Sequence, residues 1–311
     1  MSKLTLPSAA IRLREALVEA AWIQWKALGL PASAERPARS VVDPEALILA
    51  SLWLQRYESR LGKLTRMFAT LGSGLVSTQR LKNLRKAYPA GTMADLSVFA
   101  LAALHGSKDP RWQSLVEGGS SLRRKGMKAE DSFVLFQYPP PALMLRLRLA
   151  FSVSIKADTL AFLIALAGLA ATVPMVTEAI GYQGRGVRRA LEELAAADFI
   201  KSVTSVPVSY RAEETRWDQF LELRGSSPGW WHWHQLYAFG ADLDHAAGES
   251  QDRSSYLQSS QARDLVERHT RLFALFPQLM SDPGKLPGEA YLDRFVEDIG
   301  TLADRITHNW A

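Results

Sequence analysis

Apolar residues recur at helical spacing over residues 8–28, where Ile11, Leu13, Leu17, Val18, Trp22 and Trp25 fall mostly on one side and Arg12, Arg14, Glu15 and Glu19 largely elsewhere. Pro31 to Pro37 break that pattern. Asp43 followed by Pro44 reads as an N-cap and first helical residue, predicting a second helix to about Tyr57, with a third over residues 60–71. Gly72-Ser73-Gly74 leads to Ser77, a further N-cap, and to the basic helix TQRLKNLRKAY, which stops at Pro89. More helix is expected over 92–104 and 110–117.

The order of periodicities between Asp158 and Ala212 is the most informative feature of the chain. Asp158 is expected to cap the buried helix TLAFLIALAG, and the short helix VPMVTEAIG then ends at Gly181, a residue able to adopt the left-handed conformation of a tight turn. A third helix over 184–197 repeats Val187, Leu191 and Leu194 as a single stripe. The period then becomes two. Phe199 to Thr204 read as a strand, Ser205-Val206-Pro207 as a turn and Val208 to Ala212 as a returning strand. The uncharged run from Thr159 to Thr177 approaches the length of a membrane span. Its alanines and glycines, Pro174 and the flanking Lys156, Asp158 and Glu178 fit two short buried helices better.

Helix, helix, turn, helix and two-stranded ribbon is the order of a winged helix-turn-helix, whose third helix enters the DNA major groove. The segment TLAFLIALAG…VTEAIGYQGRGVRRALEELAAADFIKSV…SYRAE resembles the winged-helix domains of bacterial regulators of the ArsR and MarR type. Ala179 and Gly181 before the turn, the V-R-R-A-L-x-x-L helix and the apolar strand after it carry the likeness. It implies a homodimeric, sequence-specific double-stranded DNA-binding transcriptional regulator, expected to act as a repressor.

On a helical wheel with Val187 at zero, Leu191 lies at about 40° and Leu194 at about −20°, whereas Arg188, Arg185 and Arg189 lie at about 100°, 160° and 200°. Core and cations occupy different faces. Arginine suits both bidentate contact with guanine and contact with phosphate, so Arg185, Arg188 and Arg189 are the expected base readers. Gln183 is placed to pair with adenine and Tyr182 to meet a phosphate or thymine methyl. Lys201, Ser205, Ser209, Tyr210 and Arg211 would bring the ribbon to the adjoining backbone or minor groove. Glu192 and Glu193 share the exposed side, which concentrates the positive charge in the N-terminal half of the helix. The alternative is a winged helix that docks on protein and never touches DNA.

Composition narrows the field. With no cysteine among 311 residues there is no disulfide scaffold, thiolate metal site or cysteine nucleophile. The net charge of +5 is unevenly spread: residues 1–140 carry +9, residues 141–216 carry +2 and residues 217–311 carry −6. A basic front and an acidic back suit a polyanion on one side and a protein on the other. Within the front, Arg80, Lys82, Arg85 and Lys86 on the helix after Ser77, together with Arg123, Arg124, Lys125 and Lys128, form a secondary basic patch. The stretch over 60–88 reads either as a degenerate helix-turn-helix or as a solvated surface helix.

No phosphate-loop, dinucleotide or paired-carboxylate signature is present, so no enzyme activity and no cofactor are expected. Trp231-His232-Trp233-His234 lacks a third ligand nearby and is taken as interhelical packing, so no metal is expected either. The charges near Arg12 and Glu15 leave no export signal, and a cytoplasmic protein with no membrane partner is expected.

The fold class that follows is mostly α: a helical basic domain over 1–138, a winged helix-turn-helix with a two-stranded wing over 142–216, and a helical, acidic, tryptophan-rich dimerisation or partner domain over 217–311. The phrases VVDPEALILASLWL…RLGKLTRMF…GLVSTQRLKNL and SSYLQSSQARDLVERH are also similar to helical winged-helix proteins encoded beside nucleotidyltransferase-type toxins in phage-defence and toxin–antitoxin loci. That likeness implies a partner protein from a neighbouring gene and an autoregulatory or antitoxin role.

Overall fold

A computed structural model of the chain describes residues 5–89, 92–116, 139–204, 206–223, 227–250, 252–275 and 286–310. The protein is mostly helical with one small antiparallel sheet. The first part comprises α1 (Leu6–Ala27), α2 (Pro44–Leu54), α3 (Ser59–Leu71), α4 (Thr78–Leu84) and α5 (Thr92–Ser107). The middle contains α6 (Leu143–Phe151), α7 (Ile155–Ala165), β1 (Ala171–Thr172), α8 (Val173–Ile180), α9 (Gly184–Ala196), β2 (Lys201–Val203), β3 (Ser209–Arg211) and α10 (Glu214–Leu221). The last part is α11 (Trp233–Glu249), α12 (Ser255–Arg268), α13 (Thr270–Ala274) and α14 (Ala290–Arg305).

Local chemistry accounts for the helix starts. Thr5 and Ser8 form a reciprocal capping box on α1, and Asp43 and Ser77 accept from the backbone N–H groups of Ala46 and Arg80 as N-caps of α2 and α4. The sequence misplaces one cap. Ser154, not Asp158, caps α7, and Asp158 lies buried inside that helix because its carboxylate is needed by an arginine of α6.

The expected division into three domains is corrected by the packing. The N-terminal and C-terminal helical parts are not separate, because α1 lies against both α11 and α14 and all three contribute to one core with α2 and Phe68 of α3. Gly240 on α11 faces Leu17 and Trp53, and a Cβ there would collide with the Leu17 side chain. Every residue of α2 is buried, which explains why its apolar residues show no stripe. A second core is formed by residues 143–223 together with Val41, and it includes Phe162, Ile180, Val187, Leu191 and Trp217.

In that second unit the sheet order is β1-β3-β2, with Ser202 opposite Tyr210 and Ala171 on the other side of the same tyrosine. The returning ribbon is therefore tied to the segment before α8. β1 was not legible in the sequence, since a two-residue strand has no period. Gly181 ends α8 in the left-handed region, with φ 69° and ψ 26°, and the turn delivers the chain into α9. Among the described residues no helix is long and apolar enough to cross a membrane; the uncharged run after Asp158 is divided among α7, β1 and α8.

Candidate nucleic-acid interface

α9 presents its two faces as the wheel requires. Val187, Ala190, Leu191 and Leu194 are buried, while Arg185, Arg188 and Arg189 are exposed. Arg185 and Arg188 make no hydrogen bond or ion pair with another described residue, and Gln183 stands exposed at the N-cap with no capping bond from its side chain. Arg189 differs. Its guanidinium pairs with Glu193 one turn on, at 2.8 Å, and Glu193 also takes Lys156 at 2.7 Å. These are exposed, solvent-screened pairs that a phosphate could displace.

The ribbon is less available than expected. Tyr210 and Ser209 are buried in the sheet, so neither serves as a surface contact, and Lys201 is turned back onto Asp198. Arg211 is exposed with no partner among the described residues, and Val206 and Val208 are exposed beside it. Ser205 lies outside the described residues, as do Arg123, Arg124, Lys125 and Lys128.

Two expected surface residues belong to the interior. Tyr182 donates its hydroxyl hydrogen to Asp158 Oδ2 or Ser77 Oγ, each at 3.0 Å, so it does not face a phosphate. Burial, followed by the charge of Asp158, raises its pKa and keeps it protonated. Arg80 is fully buried instead of forming part of a basic patch. Of that patch, Lys86 is exposed, Arg85 half-buried, and Lys82 reaches Ser114 at 2.8 Å.

Arg80 leads into a buried ion network that sequence reasoning missed. Its Nε donates to the Ile180 carbonyl at 2.6 Å, at the end of α8, while its other nitrogens engage Asp43 and, at 2.7 Å, Glu45. Arg148 of α6 donates to Asp158 at 2.7 Å twice, to Glu45 at 2.6 and 3.0 Å, and to the Leu75 carbonyl at 2.8 Å. Glu45 accepts a fourth bond from the Ser77 backbone at 2.6 Å. Both guanidinium groups have raised pKa values: burial alone would lower them, and the carboxylates overcome it. Burial likewise opposes ionisation of Asp43, yet the charge and hydrogen bonds of Arg80 bring it down to about 2. The clue available in sequence is a few charges of opposite sign inside largely apolar helices: Glu45 in PEALILASLWL, Arg146 and Arg148 in LMLRLRLAF, and Asp158 beside Lys156 ahead of TLAFLIAL.

This network joins the helical body to the unit carrying α9. Leu84 of α4 packs on the Gly181 turn, so that a Cβ on Gly181 would lie 2.9 Å from the Leu84 side chain, and Asn83 Nδ2 donates to the Gly181 carbonyl at 3.5 Å. From α11, Gln235 Nε2 reaches Glu178 Oε1 at 3.4 Å, and His234 Nδ1 stands 4.0 Å from Asp43. The tryptophan–histidine motif thus packs, as expected: Trp233 is buried with its N–H on Ser40 at 3.0 Å. Burial lowers His232 to about 4 and His234 to about 3, so both rings are neutral. No group of three metal-binding side chains occurs among the described residues.

No protein-family model matches this chain, and comparisons with curated proteins and with solved structures find no match.

Proposed function

We propose that residues 155–211 form a winged helix-turn-helix and that the chain is a sequence-specific double-stranded DNA-binding transcriptional regulator, a repressor acting as a homodimer. The observation that carries this reading is the pair Arg185 and Arg188, exposed and unpaired among the described residues, in the first half of a helix whose opposite face is buried. Arginines held on a rigid helix are suited to bidentate contact with guanine O6 and N7 in the major groove. Gln183 at the helix entrance adds an amide for adenine, and Arg211 on β3 supplies a phosphate contact beside the groove.

The test is a gel shift on the fragment upstream of the chain's own gene, at fixed salt. Arg185→Ala and Arg188→Ala should each weaken specific binding by about 1–3 kcal/mol and relax preference at one base position. Affinity unchanged by both substitutions overturns the reading.

One observation favours a second reading, an adaptor or antitoxin whose winged helix is structural: Arg189, Lys201 and Lys156 are all engaged by carboxylates of the same chain. Stable co-purification with the product of a neighbouring gene, combined with no affinity for DNA at low salt, would establish that account instead.

A further inference from the structure

A cleft of about 640 Å³ opens where α4, α11, α12 and α13 meet, on the side of the body that abuts α8. That volume is in the range of small-molecule sites, roughly 300–1,000 Å³. Its walls combine Leu84, Ala87, Ala238 and Leu272 with a group of polar side chains. The charge is biased. Asp242 is already neutralised by Arg268 at 3.0 Å and lies in hydrogen-bond contact with His269 at 3.0 Å, whereas Lys86 and Arg271 are exposed and unpaired among the described residues, against Glu267 as the remaining carboxylate. The lining residues therefore hold one more cation than carboxylate. His234 and Gln235 line the cleft, and just behind its wall His234 Nδ1 and Gln235 Oε1 are buried without a hydrogen-bond partner among the described residues.

Two of the polar wall residues also hold the end of α8, and a third stands beside the ion network that does. Asn83 bonds the Gly181 carbonyl and Gln235 bonds Glu178, while His234 stands 4.0 Å from Asp43, which in turn fixes the arginine on Ile180. A molecule that engaged Asn83 or Gln235 would compete with these contacts and loosen or re-seat the turn that launches α9.

We infer that this cleft is an effector site for a small anionic molecule, a carboxylate or phosphate ester carrying a hydrogen-bond donor, held by Lys86 and Arg271 and oriented by Asn83, His234 and Gln235. Its occupancy sets the position of residues 178–181 and hence of α9. The regulatory meaning rests on the DNA-binding reading; the site itself does not, and it can be tested without DNA.

Titration calorimetry on the full chain with inorganic phosphate, and separately with succinate, should give saturable binding with a Kd of about 1 mM or tighter for at least one of them. The double variant Lys86→Ala/Arg271→Ala, whose side chains are exposed, should weaken it about tenfold or more, while Lys63→Ala, remote from the cleft, should not. Hydrogen exchange of amides 177–183 should change at saturating anion in the native chain and not in the double variant. Absence of saturable binding by both anions, equal binding by the double variant, or unaltered exchange at 177–183 on binding would each overturn the proposal. If the anion binds and shifts exchange but the chain has no affinity for DNA, only the DNA-binding reading fails.

Discussion

Arg80 in α4 and Arg188 in α9 sit in short polar helices that follow a turn, and they meet opposite fates. Arg80 is enclosed and makes a two-pronged contact with Asp43, a contact with Glu45 and a bond to the end of α8. Arg188 projects from the surface and, among the described residues, has no partner. The difference lies in what each helix rests against. α4 packs on α2, whose first turn offers two carboxylates in a wholly buried setting, whereas α9 rests on the apolar α7 and turns its charged face outward. A guanidinium inside the protein is tolerated only when its donors are saturated by carboxylates and carbonyls; outside it is available for a ligand.

The largest effect should come from breaking the enclosed side of this comparison. Arg148→Met leaves Glu45 and Asp158 short of partners in the interior, and removing one partner of such a pair costs about 3–5 kcal/mol. Urea denaturation should show that loss, and a cost below about 1 kcal/mol would mean that the network does not bind the two cores together.

Acid tests the same junction. His232 and His234 ionise in the folded chain only near pH 4 and 3, against 6.5 for an unburied imidazole. The unfolded chain therefore binds more protons below pH 6.5, and stability is full above that value and falls as the pH drops toward 4 and 3. Asp43 adds loss of the same sign only below its ordinary 3.8, toward about 2. Each histidine contributes about 1.4 kcal/mol per pH unit, so roughly 2 kcal/mol between pH 6.5 and 5. Denaturation series across that interval should show a slope reduced by about one proton in His234→Phe; an unchanged slope would place the protonation elsewhere.

How far this contrast was legible follows from where the neighbours lie in the chain. The faces of α9 could be read because Val187, Leu191 and Leu194 repeat within one helix, and the left-handed turn could be read from Gly181 alone. Arg80 could not, since its partners lie 35 and 37 residues upstream and its backbone acceptor 100 residues downstream. Tyr182 and Tyr210 read as surface contacts in the sequence for the same reason: Ser77 and β1, which cover them, are remote in the chain. The joining of the two helical flanks into one body likewise depends on α1 meeting α14, a pairing with no local signature.

A smaller effect should attend the turn between the two units. Gly181→Ala forces a side chain into the left-handed region, costing about 1–2 kcal/mol, and its Cβ obliges the tip of Leu84 to shift. Thermal unfolding should fall accordingly, and specific DNA affinity should fall with it if the turn sets the aim of α9.

The smallest stability effect belongs to the exposed arginines. Arg185 occupies the first turn of α9, where a cation opposes the helix dipole, and alanine is the better helix former at both positions. Arg185→Ala and Arg188→Ala should therefore leave stability within about 0.5 kcal/mol, with Arg185→Ala neutral or slightly stabilising. Measured beside the gel shift, that outcome separates a residue kept for a ligand from one kept for the fold. A stability loss above about 1 kcal/mol in either variant would instead give these side chains the structural duty that Arg80 and Arg148 perform.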